Sequence, residues 1–372
     1  MKMSAYETNA LPPGSTVKHY TVVDLLGFDH QGCLYRAECA DTEFPVLLYE
    51  YLPAGLAIRG AHGVQSLPGK AEALSKAVAA YATRLRAAGL VGHPALPALD
   101  DIWSQGATVY AVGPLRPGRS LMTALASGGH PDAPSLSRWV RALCDALSAL
   151  HRNDLVHGNL SPSMMRVLDS GELQLPLVGA GLFDHDTPAW IAPEQHPLNP
   201  RPVGVGNWTD VYQLSALVHH LMTGQAPPAV MRRWEGAPLE RLADLGDRFS
   251  ADMLVATHKG LSMLASARPQ TAERWLAMAG LPERRRQPRD DQTELTPELS
   301  AMRRSEHHDE DSTVRAALMA VASPGSGHQP LPAGVQARLD RLDSQRQSNK
   351  MTWLWASLML GIATLIAVVA YT

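Results

Sequence analysis

Cysteine is scarce in this sequence, and there is no excess of basic residues. The 372 residues include three cysteines, Cys33, Cys39 and Cys144. An odd number at these spacings fits neither a disulfide framework nor a zinc site, so we expect a reducing compartment around the folded part. Lysine and arginine number 33 against 36 acidic residues, which gives a net charge of −3. A nucleic-acid partner is not expected, because such proteins usually carry a basic excess.

Charged residues are absent after Lys350, where a run of mostly apolar residues begins. At about 1.5 Å per helical residue this run is long enough to cross a bilayer, so we predict a transmembrane helix over 351–371. Basic residues such as Arg346 precede the run, and only uncharged residues follow it. The positive-inside rule therefore predicts that the long N-terminal part lies in the cytoplasm.

Aromatic residues are absent between Trp275 and Trp353, and the segment 284–350 mixes charge clusters with proline and glycine. Such a composition does not bury enough apolar area to order itself, so we predict a flexible cytoplasmic juxtamembrane linker there. The hydrophobic fraction of the whole chain, 45%, is enough for a folded core. We predict one folded domain over 17–283, preceded by an N-terminal extension, residues 1–16.

Short runs of β-branched and aromatic residues, separated by turn-forming residues, open the predicted domain. They predict an antiparallel β-meander built from the runs Tyr20–Leu25, Cys33–Arg36 and Val46–Tyr51. The first and smaller part of the domain is therefore expected to be rich in β-strands.

Farther along the chain, apolar residues recur at helical spacing. One helix is predicted over 136–150, with Ser135 and Ser137 as candidate N-caps. A second helix is predicted to begin at Asp210 and to end before Gly224. A small β-rich part followed by a larger helical part gives an α+β fold class with two lobes.

Several short motifs follow one another along the predicted domain. In chain order they are Leu26–Ala37, Val46–Pro53, Leu155–Pro162, Trp190–Gln195, Thr209–Ala216 and Ala267–Ala272. Together they resemble motifs of the eukaryotic-type serine/threonine protein kinases of bacteria. In the same order, the family's motifs are the glycine-rich loop, the strand of the phosphate-anchoring lysine, the catalytic loop, the Ala-Pro-Glu motif, the central helix and the late arginine. The resemblance implies a protein-kinase-like fold, with a small β-rich lobe and a larger helical lobe.

The resemblance also implies that the nucleotide side of the cleft is altered. Gly27 and Gly32 keep two glycines of the loop and are the candidate cofactor-binding residues. Asp29 takes the middle glycine position, where its carboxylate would face phosphate charge. Tyr49, which is neutral at pH 7, replaces the phosphate-anchoring lysine. Leu47 stands where a small residue lies against adenine in the family, and its bulk would narrow that slot.

Further positions implied by the resemblance bear on the cleft. Arg84 stands near the place of the helix glutamate that holds the lysine. Gly113, at the gatekeeper position, is expected to leave the back of the cleft open. Pro114 keeps its carbonyl group, so the segment between the lobes does not by itself exclude adenine.

The positions that carry the chemistry are replaced as well. Asn159 stands at the place of the catalytic base, and an amide does not accept the substrate proton as a carboxylate does. Ser161 replaces the following lysine, and Met164 and Gly179 replace the residues that bind magnesium. Neither offers a hard oxygen side chain, so no metal site is predicted. The sequence predicts no firm cofactor, and any ATP in the cleft would lack its usual Mg²⁺ ligands.

Positions that hold the fold are retained. The resemblance implies a buried ion pair between Glu194 and Arg268, and it implies that Asp210 holds the backbone of the loop that carries His157. Structural positions are thus kept while chemical positions are replaced. The sequence therefore predicts a folded domain without ordinary kinase catalysis.

We interpret the sequence as a bacterial pseudokinase anchored in the inner (cytoplasmic) membrane. It would act by binding, as a scaffold or regulator of a kinase, a phosphatase or an envelope complex. The alternative is an active but unorthodox serine/threonine kinase that recruits Asp184 or Asp186 for metal. A third interpretation is a receptor that senses a small molecule in the old cleft.

Overall fold

The computed structural model describes residues 9–40, 44–179, 189–199, 203–239 and 242–281. The predicted linker, 284–350, and the predicted transmembrane helix, 351–371, lie outside the described residues. Among the helices that are described, none has both the length and the apolar character that a membrane crossing requires.

The described secondary structure follows the order expected of a β-rich part and then a helical part. The strands are β1 (Thr16–Val17), β2 (Tyr20–Asp29), β3 (Gly32–Cys39), β4 (Pro45–Tyr51), β5 (Ala57–Gly60), β6 (Gly63–Ser66), β7 (Asp101–Gln105), β8 (Thr108–Pro114), β9 (Gly118–Ser120), β10 (Arg166–Leu168) and β11 (Leu173–Gln174). The α-helices are α1 (Ala71–Gly89), α2 (Leu121–Gly128), α3 (Ala133–His151), α4 (Asn207–Thr223), α5 (Val230–Trp234), α6 (Ala251–Gly260) and α7 (Ala272–Met278).

The N-terminal lobe is built on a six-stranded sheet with the strand order β1-β2-β3-β4-β8-β7. All neighbours in this sheet are antiparallel, and the β2–β3 hairpin turns between Asp29 and Gly32. The predicted β-meander corresponds to β2, β3 and β4 and is confirmed. Its residues form strands because β-branched and aromatic side chains pack well on a pleated surface.

Strand β4 separates two apolar cores. Leu47, Tyr49 and Tyr51 belong to the larger cluster, which continues into the helical lobe, whereas Leu48 belongs to a smaller cluster. This alternation follows from the strand geometry, in which successive side chains point to opposite faces. Helix α1 packs on the side of the larger cluster, where the rings of Tyr51 and Tyr81 lie 4.3 Å apart.

Helix α4 is the central helix of the C-terminal lobe. Its side chains are buried from residue 209 through 222, as expected for a helix that other elements surround. It begins at Asn207 rather than at the predicted Asp210. The Gly206 N–H, just before the helix, donates a hydrogen bond to the Thr209 hydroxyl. Its predicted end is right, because Gly224 adopts a left-handed conformation with φ 80°.

Helix α3 begins earlier than its apolar pattern predicts. Its N-cap is Asp132, whose carboxylate accepts a hydrogen bond from the Ser135 N–H at 2.9 Å. The expectation of a cap at Ser135 or Ser137 is therefore wrong. The apolar period starts only at Leu136, whereas a capping side chain acts a turn earlier, where it satisfies the first free N–H groups.

One apolar core joins the two lobes. Buried residues of β4 and α1 lie in the same cluster as residues of α3 and α4, and Met164 and Leu177 lie in it as well. The domain is therefore two-lobed and α+β, as predicted. Its lobes meet at a packed seam, and the candidate site lies on that seam.

Candidate functional site

The candidate site is the seam between the lobes, where the β2–β3 turn and β4 meet the segment 155–164. A cavity of about 20 Å³ remains there, and Asp29, Tyr49, Tyr81 and Asn159 are among the residues that line it. A water molecule needs about 10–15 Å³ of such space, whereas pockets for small organic ligands start at about 300 Å³. The space that is left fits one water molecule and not a nucleotide.

The Asp29 carboxylate fills the centre of the seam. Its Oδ1 accepts hydrogen bonds from the backbone N–H groups of Gln31 and Gly32, at 2.8 and 3.2 Å. Its Oδ2 accepts a hydrogen bond from Asn159 Nδ2 at 2.9 Å, so it links the β2–β3 turn to the opposite lobe. Asp29, Gln31, Gly32 and Asn159 are all buried. The turn amides that could contact a phosphate group are therefore bonded to a carboxylate of the same chain.

The candidate cofactor-binding glycines, Gly27 and Gly32, lie against protein backbone. A Cβ atom on Gly27 would lie 2.4 Å from the Ser163 carbonyl oxygen, and one on Gly32 would lie 1.9 Å from the Glu50 carbonyl oxygen. The Ser163 hydroxyl also donates to the Phe28 carbonyl oxygen at 2.7 Å. Both glycines thus permit close packing of chain segments, and Gly27 lets the N-terminal lobe lie directly on the C-terminal lobe.

Tyr49 and Arg84, at the lysine and glutamate positions of the resemblance, have no ionic contact with each other in the structure. Tyr49 is buried in the seam, and burial raises the pKa of its hydroxyl group, so the side chain stays neutral. Arg84 donates from Nη2 to the Val156 carbonyl oxygen. The guanidinium therefore fastens α1 to the segment that precedes His157.

The segment between the lobes, residues 112–118, is held by an arginine of the C-terminal lobe. Arg166 is buried and donates from Nη1 to the Arg116 carbonyl oxygen at 2.9 Å and from Nη2 to the Gly118 carbonyl oxygen at 3.0 Å.

The expectation that Gly113 leaves the back of the cleft open is wrong. A Cβ atom there would lie 2.0 Å from the Ala98 carbonyl oxygen, because the chain before β7 packs directly against this glycine.

Asp210 holds the loop that carries His157. Its Oδ2 accepts a hydrogen bond from the His157 N–H and its Oδ1 accepts one from the Gly158 N–H, both at 2.7 Å. His151 Nε2 lies 2.8 Å from the same Oδ2. Asp210 and His157 have no exposed surface, so this loop is fixed from inside the helical lobe.

Two glutamines that the sequence analysis passed over complete this support. Gln213 Oε1 accepts a hydrogen bond from the Leu160 N–H at 3.1 Å, and its Nε2 donates to the Gly158 carbonyl oxygen and to Gln195 Oε1. Gln195 Nε2 donates to the same Gly158 oxygen at 3.0 Å. For Gln213 the available signal was an amide side chain on the buried side of a helix, because buried amides need partners.

Glu194 and Arg268 form a bidentate ion pair. Arg268 Nη1 and Nη2 lie 2.7 and 2.9 Å from the two carboxylate oxygens, and the side chains are 0% and 2% exposed for Arg268 and Glu194. The Thr209 hydroxyl donates to Glu194 Oε1, and Arg268 also donates to the Trp208 carbonyl oxygen. The pair joins the segment after Trp190 to the end of the domain.

Two solved structures have a similar arrangement of elements. A structure described as PpkA-294 in its apo form matches with a TM-score of 0.59 and 21% identity, covering 73% of this chain and 99% of that chain. The chain has a protein-kinase-like fold. Rad53 1–466 in complex with AMP-PNP matches with a TM-score of 0.54 and 17% identity, covering 70% of this kinase-like chain and 64% of the other.

Curated relatives of this kinase-like chain are serine/threonine protein kinases. Pkn1 of Myxococcus xanthus is 28% identical over 163 residues, which are 38% of this chain and 22% of that protein. PknL of Mycobacterium tuberculosis is 27% identical over 154 residues, which are 38% of this chain and 37% of that protein. CBL-interacting protein kinase 22 of Oryza sativa subsp. japonica is 32% identical over 121 residues, 28% of this chain and 27% of that protein.

These matches cover less than two fifths of the length of each relative, and no protein-family model matches the chain. The similar structures confirm the kinase-like fold that the motifs predict, and the relatives confirm homology to serine/threonine kinases.

The described residues of the seam do not fit the magnesium nucleotide that a kinase-like fold implies. Met164 and Gly179, at the metal positions, carry no oxygen side chain. A Cβ atom on Gly179 would lie 2.9 Å from Asn159 Cβ, so there is little room for an ion beside it. Across the described ranges, no three histidine, cysteine or carboxylate side chains come together in a way that could hold a metal ion. Asp184 and Asp186 lie outside the described residues.

His157 is expected to make the stability of the kinase-like domain pH-dependent. Burial lowers the pKa of His157 from 6.5 to about 4, against the opposing charge of Asp210. Between these values the unfolded chain binds a proton that the folded chain does not, so stability falls as the pH drops from about 6.5 to about 4. The loss from this group is about 3 kcal/mol at most.

Urea unfolding at several pH values, on wild type and His157→Gln, measures this contribution. The variant loses the titrating group, so its stability should change less over that pH interval, whatever its stability at pH 7. Parallel pH profiles for the two proteins would contradict the assignment to His157.

Proposed function

We propose that this kinase-like chain is a pseudokinase, which acts by binding a protein partner and not by transferring phosphate. The observation that carries the proposal is the Asp29 carboxylate, bonded to Asn159 and to the turn amides in the seam. Its negative charge lies where a kinase would bind the negatively charged phosphates of ATP, and like charges repel each other. A cavity of about 20 Å³ supports the same conclusion.

The chemistry at position 159 supports the proposal as well. The Asn159 amide group donates to Asp29, and the residue as a whole is 6% exposed, so the amide is neither a base nor accessible to a substrate hydroxyl. Loss of a positioned general base alone lowers a rate by about 10²- to 10⁴-fold. Tyr49 in place of the lysine removes the positive charge that would hold the phosphates.

Two buried polar networks favour a scaffold that presents a fixed surface. One joins Asp210 to the backbone at His157, and the other joins Glu194 to Arg268. Both connect segments far apart in sequence, and fully satisfied buried networks make a domain rigid. We infer that this rigid shape is what a kinase, a phosphatase or an envelope complex recognises.

We expect ATP to leave the melting temperature of the full chain unchanged, with or without Mg²⁺. A ligand at about 100 times its Kd adds about 2.7 kcal/mol to stability, so micromolar binding would shift the Tm by several degrees at millimolar ATP. A shift that depends on Mg²⁺ would contradict the proposal.

A labelled-ATP incubation of the same preparation tests the active-kinase alternative. Transfer that is lost in Asp184→Ala or Asp186→Ala would establish that alternative in place of the pseudokinase.

We propose further that the predicted helix 351–371 anchors the domain on the cytoplasmic face of the inner membrane. The support is the run of residues without charge after Lys350, with basic residues before it. A periplasm-dependent reporter joined after Thr372 is expected to be active, and a cytoplasm-dependent reporter there inactive. The opposite pattern would contradict the orientation.

A further inference from the structure

A second cavity lies in the C-terminal lobe and shares no described lining residue with the cavity of the seam. Its volume is about 370 Å³, within the range of about 300–1,000 Å³ that is usual for ligand pockets. One wall is formed by Pro193, Val203 and Trp208, at the start of α4, and the other by residues 263–270, just before α7. We call this cavity the α4–α7 groove.

The two walls of the α4–α7 groove are held together by Arg268. Its Nη1 donates to the Trp208 carbonyl oxygen at 3.0 Å, and its Nε donates to the Ser262 carbonyl oxygen at 2.8 Å. The same guanidinium forms the ion pair with Glu194, which also lines the groove. Gln270 Nε2 donates to the Arg268 carbonyl oxygen at 2.8 Å. The groove is therefore preformed, and a preformed site has a lower entropic cost of binding.

The surface of the groove is mostly apolar and partly open to solvent. Val203 is 42% exposed and Leu264 is 44% exposed, and Trp208 and Met263 are half-buried. Apolar side chains that are exposed together mark sites at which other molecules bind. A cavity of about 150 Å³ already holds a benzene-sized molecule, so the groove has room for about two ring-sized side chains.

The charges at the groove favour an acidic ligand. Glu194 is the one charged residue among the described lining residues, and Arg268 neutralises it. Lys259 lies just before the second wall and Arg274 just after it, and both are exposed. Within the described part of the chain, neither cation has a carboxylate at ion-pair distance. Two such cations beside a neutral apolar surface are complementary to carboxylates that lie next to apolar side chains.

We propose that the α4–α7 groove binds a short peptide of a partner protein, in which large apolar side chains lie next to aspartate or glutamate. The inference rests on the proposed function, because it names the surface through which the pseudokinase holds its partner. A peptide is favoured over a membrane surface because the apolar residues line a concave cavity, which accepts inserted side chains, whereas membrane binding buries an apolar face in the bilayer.

Selection from a library of random displayed peptides tests the proposal on the full chain in detergent. We expect the enriched peptides to carry leucine, phenylalanine or tryptophan beside acidic residues. A fluorescein-labelled copy of the most enriched peptide then gives the affinity by fluorescence anisotropy. An absence of enriched peptides, or enrichment without this pattern, would overturn the proposal.

Leu264→Asp is the test variant, and Val255→Asp is its matched control. Val255 is 52% exposed on α6 and does not line the groove, so both changes place a carboxylate at an exposed apolar position of the same lobe. We expect Leu264→Asp to weaken peptide binding about tenfold or more, since it removes apolar contact and repels an acidic peptide. Val255→Asp should leave the affinity unchanged, and equal affinities of the two variants would contradict the proposal. If Leu264→Asp does not fold, Ser266→Trp, which fills the groove, takes its place.

The double variant Lys259→Glu with Arg274→Glu tests the role of charge. It should bind the selected peptide several-fold more weakly than wild type, and it should bind more tightly a copy in which lysine replaces each acidic residue. The wild-type affinity should fall as the salt concentration rises, because exposed charges are screened. A double variant that keeps the preference for the acidic peptide would refute the charge complementarity.

A soluble anionic lipid, dihexanoyl phosphatidylglycerol, is the competitor that distinguishes a membrane surface from a peptide. We expect it to leave the labelled peptide bound at concentrations at which the unlabelled peptide displaces it. Displacement by the lipid at the lower concentration would assign the groove to a lipid surface and overturn the peptide proposal.

Labelled-ATP incubation of the same preparation separates this inference from the proposed function. Peptide binding in the groove without phosphate transfer supports both. No peptide binding and no transfer overturns the role of the groove and leaves the pseudokinase proposal intact. Phosphate transfer by the wild type overturns the pseudokinase proposal, whatever the peptide affinity.

Discussion

Asn159→Asp, which restores the residue type of the catalytic base, should lower the free energy of unfolding by about 4 kcal/mol at pH 7 and give no kinase activity. Asn159 Nδ2 lies 2.9 Å from Asp29 Oδ2, and both residues are buried. The substitution removes this donor and sets two carboxylates against each other. Two unit charges about 4 Å apart repel by about 4 kcal/mol at an effective dielectric constant of about 20. Urea unfolding of the full chain measures the loss.

The pH dependence of this variant has a definite sign. Two carboxylates that face each other favour the protonated form, so one pKa of the pair rises above the value of about 4 in the unfolded chain. The loss of stability is complete above the raised pKa and shrinks as the pH falls from it towards about 4. Adding Asp29→Asn should recover much of the loss, because an amide at position 29 donates to the new carboxylate. An Asn159→Asp variant as stable as wild type would contradict the Asp29–Asn159 contact.

Removing one partner of the Glu194–Arg268 pair should cost about 3 to 5 kcal/mol. Glu194→Ala leaves a guanidinium whose side chain is 0% exposed without its carboxylate. The matched control is Glu172→Ala, which breaks the pair with Arg116, where the side chains are 37% exposed for Arg116 and 55% for Glu172. An exposed pair is worth about 1 kcal/mol or less. Urea midpoints of both variants, with equal m-values, give the comparison.

The double variant Glu194→Ala with Arg268→Met tests whether the cost comes from an unpaired charge. With both charges removed, no buried guanidinium is left alone, so the loss should be smaller than the sum of the two single losses. Equal losses for Glu194→Ala and Glu172→Ala, or strict additivity at the buried pair, would contradict this account.

The strands and the central helix could be predicted from the sequence because their signal is local. The run Val46–Tyr51 has the composition of a strand, and the apolar period of α4 ends at a glycine that adopts the expected left-handed conformation. The positions at which this sequence differs from the kinase motifs could also be found by counting residues along each motif. Asp29, Tyr49 and Asn159 were found in this way, each as a separate replacement.

The contacts between these residues could not be predicted in the same way. Asp29 and Asn159 are far apart in sequence, and their hydrogen bond depends on how closely the lobes approach. Gly113 illustrates the same limit, since its missing side chain predicts space, whereas the backbone at Ala98 fills it. Arg166 was not singled out, because a lone arginine in a strand gives no sign that its partners are carbonyl oxygens of another segment.

The packed seam between the lobes determines whether nucleotide can change the shape of the domain. Leu47, Tyr49, Met164 and Leu177 supply from within the chain the contacts that hold one lobe on the other. Under the proposed function, the closed shape therefore does not vary with the cellular ratio of ATP to ADP. Under that proposal, a signal would enter by a route other than nucleotide binding in the seam, and the domain's output would be independent of the energy state of the cell.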